Sequence, residues 1–372
     1  MTRIFQREGI SKLSLSHLPD TLPHREEHVD ELNMLFSPLG EGLDQVPWAV
    51  MVVGPSGTGK TAVVRRSLLV IERKAKAKGV RLRTEYLNCR FAISDYALLQ
   101  MLILKLIPGI SSRGYSTAEL LQAIQDHLNN RKEKILIVLD DFDSFLRSAK
   151  KRTSAIYDVL KSHEGGSGNI FLILVGVEDF SLYFEESWIR NYIWRTKNSY
   201  VPYEYGQMRD VLRSRAEEAF VSEAITQDDI LIASRMTSKF GYGSARYGLE
   251  LMLAAGREAD WENSDVVTPE HFRVAQTRME ALMEQAELRK RSENAMALLR
   301  KVANVSASRE RAYFTLSELG ITKEEEISEL KRLDFEGLID FFEERGEARI
   351  ALLGIPVKVL ERLIGDAQGK LV

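Results

Sequence analysis

Residues 48–61 read WAVMVVGPSGTGKT, and the reading of this stretch decides the fold. A short apolar run bounded by a turn signal indicates a strand buried on both faces. The octet GPSGTGKT (54–61) then fits G-x-x-x-x-G-K-[ST] in full, after a strand and ahead of a helical pattern. Gly57 and Gly59 let the backbone curl until its N–H groups point at phosphate oxygens. The start of the following helix adds its positive dipole end. Lys60 reaches the β- and γ-phosphates, and Thr61 offers a hydroxyl to Mg²⁺. Pro55, Ser56 and Thr58 complete the wrap. A chance glycine-rich turn is the bland alternative; the order strand, loop, helix argues against it. ATP or ADP with Mg²⁺ is the implied ligand.

Outward from the loop, ILIVLDDFDSF (135–145) is an apolar strand that ends in three aspartates. In phosphate-loop proteins a second strand brings an Asp to the Mg²⁺ shell, and Asp140 fits that role. Asp141 is either the base that orients the attacking water or a cap of the next helix. The residues leave these two open. Asp143 reads as a helix cap.

Apolar strands at 48–54, 83–89, 135–141 and 169–177 alternate with helical patterns, which indicates a parallel sheet covered on both faces. Strand signals cease after about Tyr203, and 206–288 reads as helices only. From 289 the pattern changes to three helices (ENAMALLRKVANV, FTLSELG, TKEEEISELKRL) and a hairpin turning at Arg345-Gly346, the order of a winged helix. The expected architecture is an α/β phosphate-loop base over 1–205, an all-α lid over 206–288 and a winged-helix domain over 289–372.

Composition narrows the function classes. The chain is 44% hydrophobic and 28% charged, ordinary for a globular protein. No apolar run approaches the ~20 residues needed to span a bilayer. The first twenty residues lack the apolar core of a secretion signal, so nothing suggests export and a cytoplasmic protein is expected. The single cysteine, Cys89, excludes a disulfide within the chain and reads as packing. The net charge of −3 argues against a protein that coats nucleic acid nonspecifically. HREEH (24–28) lacks the Glu directly after the first His that a zinc-protease helix needs.

Taken together, these stretches resemble the archaeal origin-recognition and Cdc-type replication initiators, members of the AAA+ superfamily. LPHREEHVDELNMLFSPL is similar to the family's segment before the phosphate loop, whose residues contact adenine; this implies a nucleotide contact for Arg25. GPSGTGKTAVVRR matches the loop, and LDDFDSFL sits where the family has its acidic strand. GSARYGLELMLAAGREAD resembles the lid helix with the second sensor arginine, here Arg246. The resemblance implies double-stranded DNA at a replication origin, the replicative helicase and other initiator subunits as partners.

The chain departs from the family's pattern at three places. Asp141 replaces the usual Glu and is one methylene shorter, and a general base needs hydrogen-bond reach. Glu178 and Asp179 follow the strand where a sensor Asn is usual. The arginine-finger segment is poorly matched, with Arg190 and Arg195 as candidates. Tight nucleotide binding with slow hydrolysis is expected, the nucleotide acting as a clamp between base and lid.

The third helix of the tail is the DNA-reading helix of a winged helix. Thr322 and Glu325 read as its capping box. Ile327, Leu330 and Leu333 form its buried stripe. Three consecutive glutamates open it, and residues 291–372 hold 13 Lys/Arg against 15 Asp/Glu. Phosphate contact dominates DNA affinity, so the basic candidates lie elsewhere: Arg345 and Arg349 on the wing, and Arg113 with Tyr115 between two base helices. Two classes follow: a DNA-binding, nucleotide-switched initiator, or a nucleotide-switched module whose acidic winged helix docks a protein.

Overall fold

A computed structural model describes residues 3–107, 109, 114–148, 154–164, 168–184, 186–279, 292–308, 311–344 and 346–368. The chain divides into two compact units, Asp20–Pro202 and the pair Met1–Pro19 with Tyr203–Val372.

The first unit is built on a five-stranded sheet of β1 (Ala49–Val53), β2 (Leu82–Asn88), β3 (Lys134–Asp140), β4 (Ile170–Gly176) and β5 (Lys197–Ser199). The order is β2-β3-β4-β1-β5, and every pairing is parallel. Side chains alternate between faces along a strand, and both faces are buried. Val50, Val52, Leu136, Val138, Ile173 and Val175 pack under α2 (Glu26–Gly40) and α3 (Lys60–Lys78). Met51, Ile137, Leu139, Leu172 and Leu174 face the other layer. That layer includes α4 (Asp95–Leu106), α5 (Thr117–Arg131), α6 (Phe142–Ser148), α7 (Ser154–Glu164) and α8 (Ser187–Arg195). Burying one Val, Leu or Ile side chain contributes roughly 1.5–3 kcal/mol. Strand β5 carries no apolar signal. It forms because Lys197, Asn198 and Ser199 pair with β1, and buried Asn198 donates to Glu31.

In the second unit, α1 (Gly9–Lys12) and the lid helices α9 (Tyr205–Ala219), α10 (Gln227–Phe240), α11 (Ala245–Trp261) and α12 (Pro269–Met279) share one core. The arm 1–19 belongs here, which corrects the boundary drawn from sequence. Ile4, Phe5 and Leu13 are buried in the lid core. Phe5 bridges to Phe220, Val221 N donates to Ile4 O at 2.9 Å and Gln6 N to Ala219 O at 2.9 Å. An apolar arm with free backbone donors gains more here than in water.

The tail holds α13 (Glu293–Ser308), β6 (Phe314–Thr315), α14 (Glu324–Phe335), β7 (Ile339–Glu344), β8 (Glu347–Leu352) and α15 (Val357–Gln368), with a sheet of order β6-β8-β7. This is the winged-helix arrangement. The expected helix at FTLSELG is instead the short strand β6 followed by turns, closed by Leu319 N→Thr315 O and Ile321 N→Leu316 O. Helix α14 starts at Glu324 with Lys323 as N-cap and no side-chain cap bond, so Thr322 and Glu325 form no capping box. The lid and the tail are not separate bodies. Ala312, Tyr313, Ala351 and Leu353 lie in the lid core. Arg235 of α10 sits between the rings of Tyr205 and Phe342, 3.7 and 4.0 Å from their centroids, and pairs with buried Asp340 at 3.3 Å. Tyr313 donates to the same carboxylate at 3.1 Å. Lys239 bonds the Asp334 side chain and donates to Asp334 O and Ile339 O; Arg273 donates to Leu352 O at 3.0 Å.

Candidate nucleotide site

The loop after β1 has the backbone its glycines allow. Gly57 and Gly59 lie at φ +79° and +91°, where a Cβ is strained. At Gly54 a Cβ would stand 2.2 Å from Tyr200 O, so only glycine fits. Gly59 precedes the first turn of α3, so the helix's free N–H groups open into the loop. Buried Lys60 donates from Nζ to Gly54 O at 2.5 Å and Pro55 O at 2.8 Å, and Thr58 Oγ1 donates to Pro55 O at 2.9 Å. The result is a narrow cradle of backbone donors with a cation at its rim, chemistry that suits a polyphosphate.

Arg25 caps the start of α2 and is buried beneath this loop. Its guanidinium donates to Thr58 O, His24 O and Val201 O, each at 2.8 Å, and lies 5.7 Å from the Tyr200 ring. Here it supports the phosphate loop from below.

The acids of β3 meet the loop where the sequence pairs them. Thr61 Oγ1 donates to Asp140 Oδ2 at 3.0 Å, which brings the hydroxyl and the carboxylate together. Asp140 Oδ1 accepts from Asp141 N at 2.9 Å, and Tyr86 OH donates to Oδ2. Among the described residues no three His, Cys, Asp or Glu side chains form a metal cage. One hydroxyl and one carboxylate fit Mg²⁺, which keeps water and phosphate oxygens as its other ligands. Asp141 sits at φ +53°, a region Asp tolerates, and accepts from Asn88 Nδ2 at 3.0 Å. Asp143 is not a cap. It lies inside the first turn of α6, buried, and pairs with Arg147 at 2.9 Å. Burial, then the charges of Asp140 and Asp141, pushes the Cys89 thiol up, so this buried cysteine is packing.

Tyr86 and Asn88 were not singled out from sequence. The signal was there: they are two apart on β2, in register with Val138 and Asp140, hence on one face. The strand order that makes β2 the neighbour of β3 could not be read.

Glu178 and Asp179 follow β4, beside the loop, since Gly176 pairs with Val53. Asp179 accepts from Ser181 N and Oγ and from Lys197 Nζ at 2.9 Å. Burial would raise its carboxyl, but the Ser181 and Lys197 bonds outweigh this and hold it below the usual range. Arg190 and exposed Arg195 lie on α8. Arg246 is exposed in the first turn of α11, where the helix dipole disfavours a cation. Tyr115 is exposed ahead of α5, and half-buried Arg349 lies on β8 with Glu347 at 3.6 Å. Arg113 and Arg345 lie outside the described residues.

A parallel sheet of this order, a phosphate loop after β1, an acid at the end of β3 and a helical lid define an AAA+ ATPase. Residues 21–173 match the model of the AAA ATPase domain, and residues 209–277 match the Cdc6 AAA+ ATPase-type lid domain. The chain belongs to the archaeal Cdc6/ORC1-type family of AAA+ proteins. It is 32% identical over 270 residues to ORC1-type DNA replication protein 2 of Saccharolobus solfataricus, covering 71% of this chain and 65% of that protein. ORC1-type DNA replication protein 1 of Archaeoglobus fulgidus is 27% identical over 283 residues, with 74% and 66% covered. The fold is that of Cdc6p from Pyrobaculum aerophilum, with a TM-score of 0.86 at 19% identity over 99% of both chains. The Aeropyrum pernix ORC1 protein, solved in complex with DNA, gives 0.65 at 21% identity over the whole of both chains.

Proposed function

We propose that this protein is a nucleotide-switched, DNA-binding replication initiator that binds ATP or ADP with Mg²⁺ and hydrolyses ATP slowly. The observation that carries the nucleotide part is the Thr61–Asp140 bond at 3.0 Å beneath a complete phosphate loop. Residues 55–61 wrap the phosphates, with Lys60 at the β/γ end; Thr61 and Asp140 hold the Mg²⁺. Bound Mg²⁺ neutralises charge on the phosphates. Asp141 orients the water from a short side chain tethered by Asn88, which favours slow turnover. Arg246 on the lid senses the γ-phosphate, and its bond to that group biases the lid between two states.

The DNA part is supported by the kinship with ORC1-type replication proteins and by the winged helix. Arg113, Tyr115, Arg345 and Arg349 are the proposed DNA contacts, and loading of the replicative helicase beside other initiator subunits is the proposed outcome. The second reading, a protein-docking winged helix, is favoured by α14. Arg332 of this helix is engaged by Glu329 and Glu336, and its Glu326 pairs with Lys301 of α13. Phe335 at its end is 93% exposed.

Titration of fluorescent duplex DNA from the protein's own genome, at several salt concentrations, separates the two. The initiator reading expects tight binding that falls steeply with salt and weakens in the Arg113→Ala/Arg345→Ala variant. Weak binding indifferent to both arginines would leave the docking reading.

A further inference from the structure

The Asp140 carboxylate is held by three donors from three segments. Thr61 Oγ1 comes from the phosphate-loop helix and Asp141 N from the strand's own exit. The third, Tyr86 OH, comes from the neighbouring strand β2 and has no place in the nucleotide chemistry described above. Its approach follows from sheet geometry. Tyr86 pairs with Val138 and Asn88 with Asp140, so Tyr86 lies diagonal to Asp140 on the face covered by α3. A diagonal cross-strand neighbour is about 7–8 Å away, a span that a tyrosine bridges and a shorter hydroxyl does not.

We propose that Tyr86 is a positioning residue for the Mg²⁺–nucleotide complex, its hydroxyl fixing the Asp140 oxygen that also accepts from Thr61. This rests on the Mg²⁺–nucleotide reading above. Tyr86 does not ligate the ion. It stops the Asp140 carboxylate from rotating, and Thr61 keeps its proton on Asp140 and its lone pairs toward the cation. Partners that orient a metal-binding carboxylate are worth about 10–100-fold in metal affinity.

The test is binding of a fluorescent ATP analogue to wild type and Tyr86→Phe, first in EDTA and then across a Mg²⁺ titration. Direct Mn²⁺ binding, followed by electron paramagnetic resonance, counts the metal without any turnover. Tyr86→Phe is expected to bind nucleotide in EDTA like wild type, while its Mg²⁺ midpoint and Mn²⁺ affinity weaken about tenfold. Unchanged metal midpoints would overturn the role, and so would equal losses with and without metal, which would mean simple structural damage. If wild type itself binds no nucleotide, or binds it with no effect of Mg²⁺, the underlying site reading fails and this role fails with it.

Discussion

Lys60 carries the charge at the rim of the loop. A hydrogen bond to a charged group is worth about 1.5–3 kcal/mol, so Lys60→Ala should weaken nucleotide binding by at least about tenfold in a fluorescence titration. Asp141 makes a sharper test. If reach limits the reaction, Asp141→Glu raises the steady-state ATPase rate and Asp141→Asn lowers it; an Asn variant that turns over like wild type removes Asp141 from the chemistry. Arg25→Ala strands the buried carbonyl of Thr58 and removes the bond to Val201 O, the first at about 1–3 kcal/mol. Chemical denaturation should show that loss, and Arg25→Lys should not restore it, because a compact ammonium does not reproduce the diverging Nε, Nη1 and Nη2 donors of a planar guanidinium. Lys60, Thr61 and Asp140 were singled out in the sequence by a strand–loop–helix motif and an acid at a strand's end, and the structure brings Thr61 and Asp140 together. Tyr86 and Arg25's supporting role were not, since both depend on which segments lie side by side.

Among the elements, α10 carries a pH signature. Asp229 closes a capping box with Thr226, yet burial pushes its carboxyl up to about 6 from an ordinary 3.8, against the Thr226 bonds. An acid raised on folding binds its proton more tightly in the native state. Its contribution therefore falls as pH rises through the window from 3.8 to about 6, and stays a penalty above it. Asp229→Asn keeps an oxygen for the Thr226 donors. It should melt higher than wild type at pH 7, with the advantage vanishing as pH falls through that window. In the tail, α14 presents exposed Glu324 and Glu325 at its start. If this end enters a DNA groove, Glu324→Gln/Glu325→Gln should tighten duplex binding about tenfold at low salt; no change would place α14 away from DNA. The elements that periodicity revealed were those with a continuous apolar face, such as β1, β3 and β4. Among those it missed are β5, which is held by a neighbour's backbone, and the amphipathic α15, while β6 was expected as a helix.

For the molecule as a whole, arm, lid and winged helix form one compact unit, 1–19 with 203–372, and 20–202 forms the other. Calorimetry should therefore show two transitions, one per unit. A third transition, with the winged helix melting alone, would contradict the shared core. The sequence told of three regions because composition changes at their borders. It could not tell that Ala312, Tyr313, Ala351 and Leu353 complete the lid's interior, since a small or aromatic residue packs against whichever neighbour arrives. Cut free of α10, this winged helix would carry those residues into water, and Asp340 would lose the guanidinium that offsets its burial. It is thus no portable module. Grafted behind a different ATPase it would be sticky and half-formed unless the lid were transplanted with it, so recombination can exchange the two only as a pair.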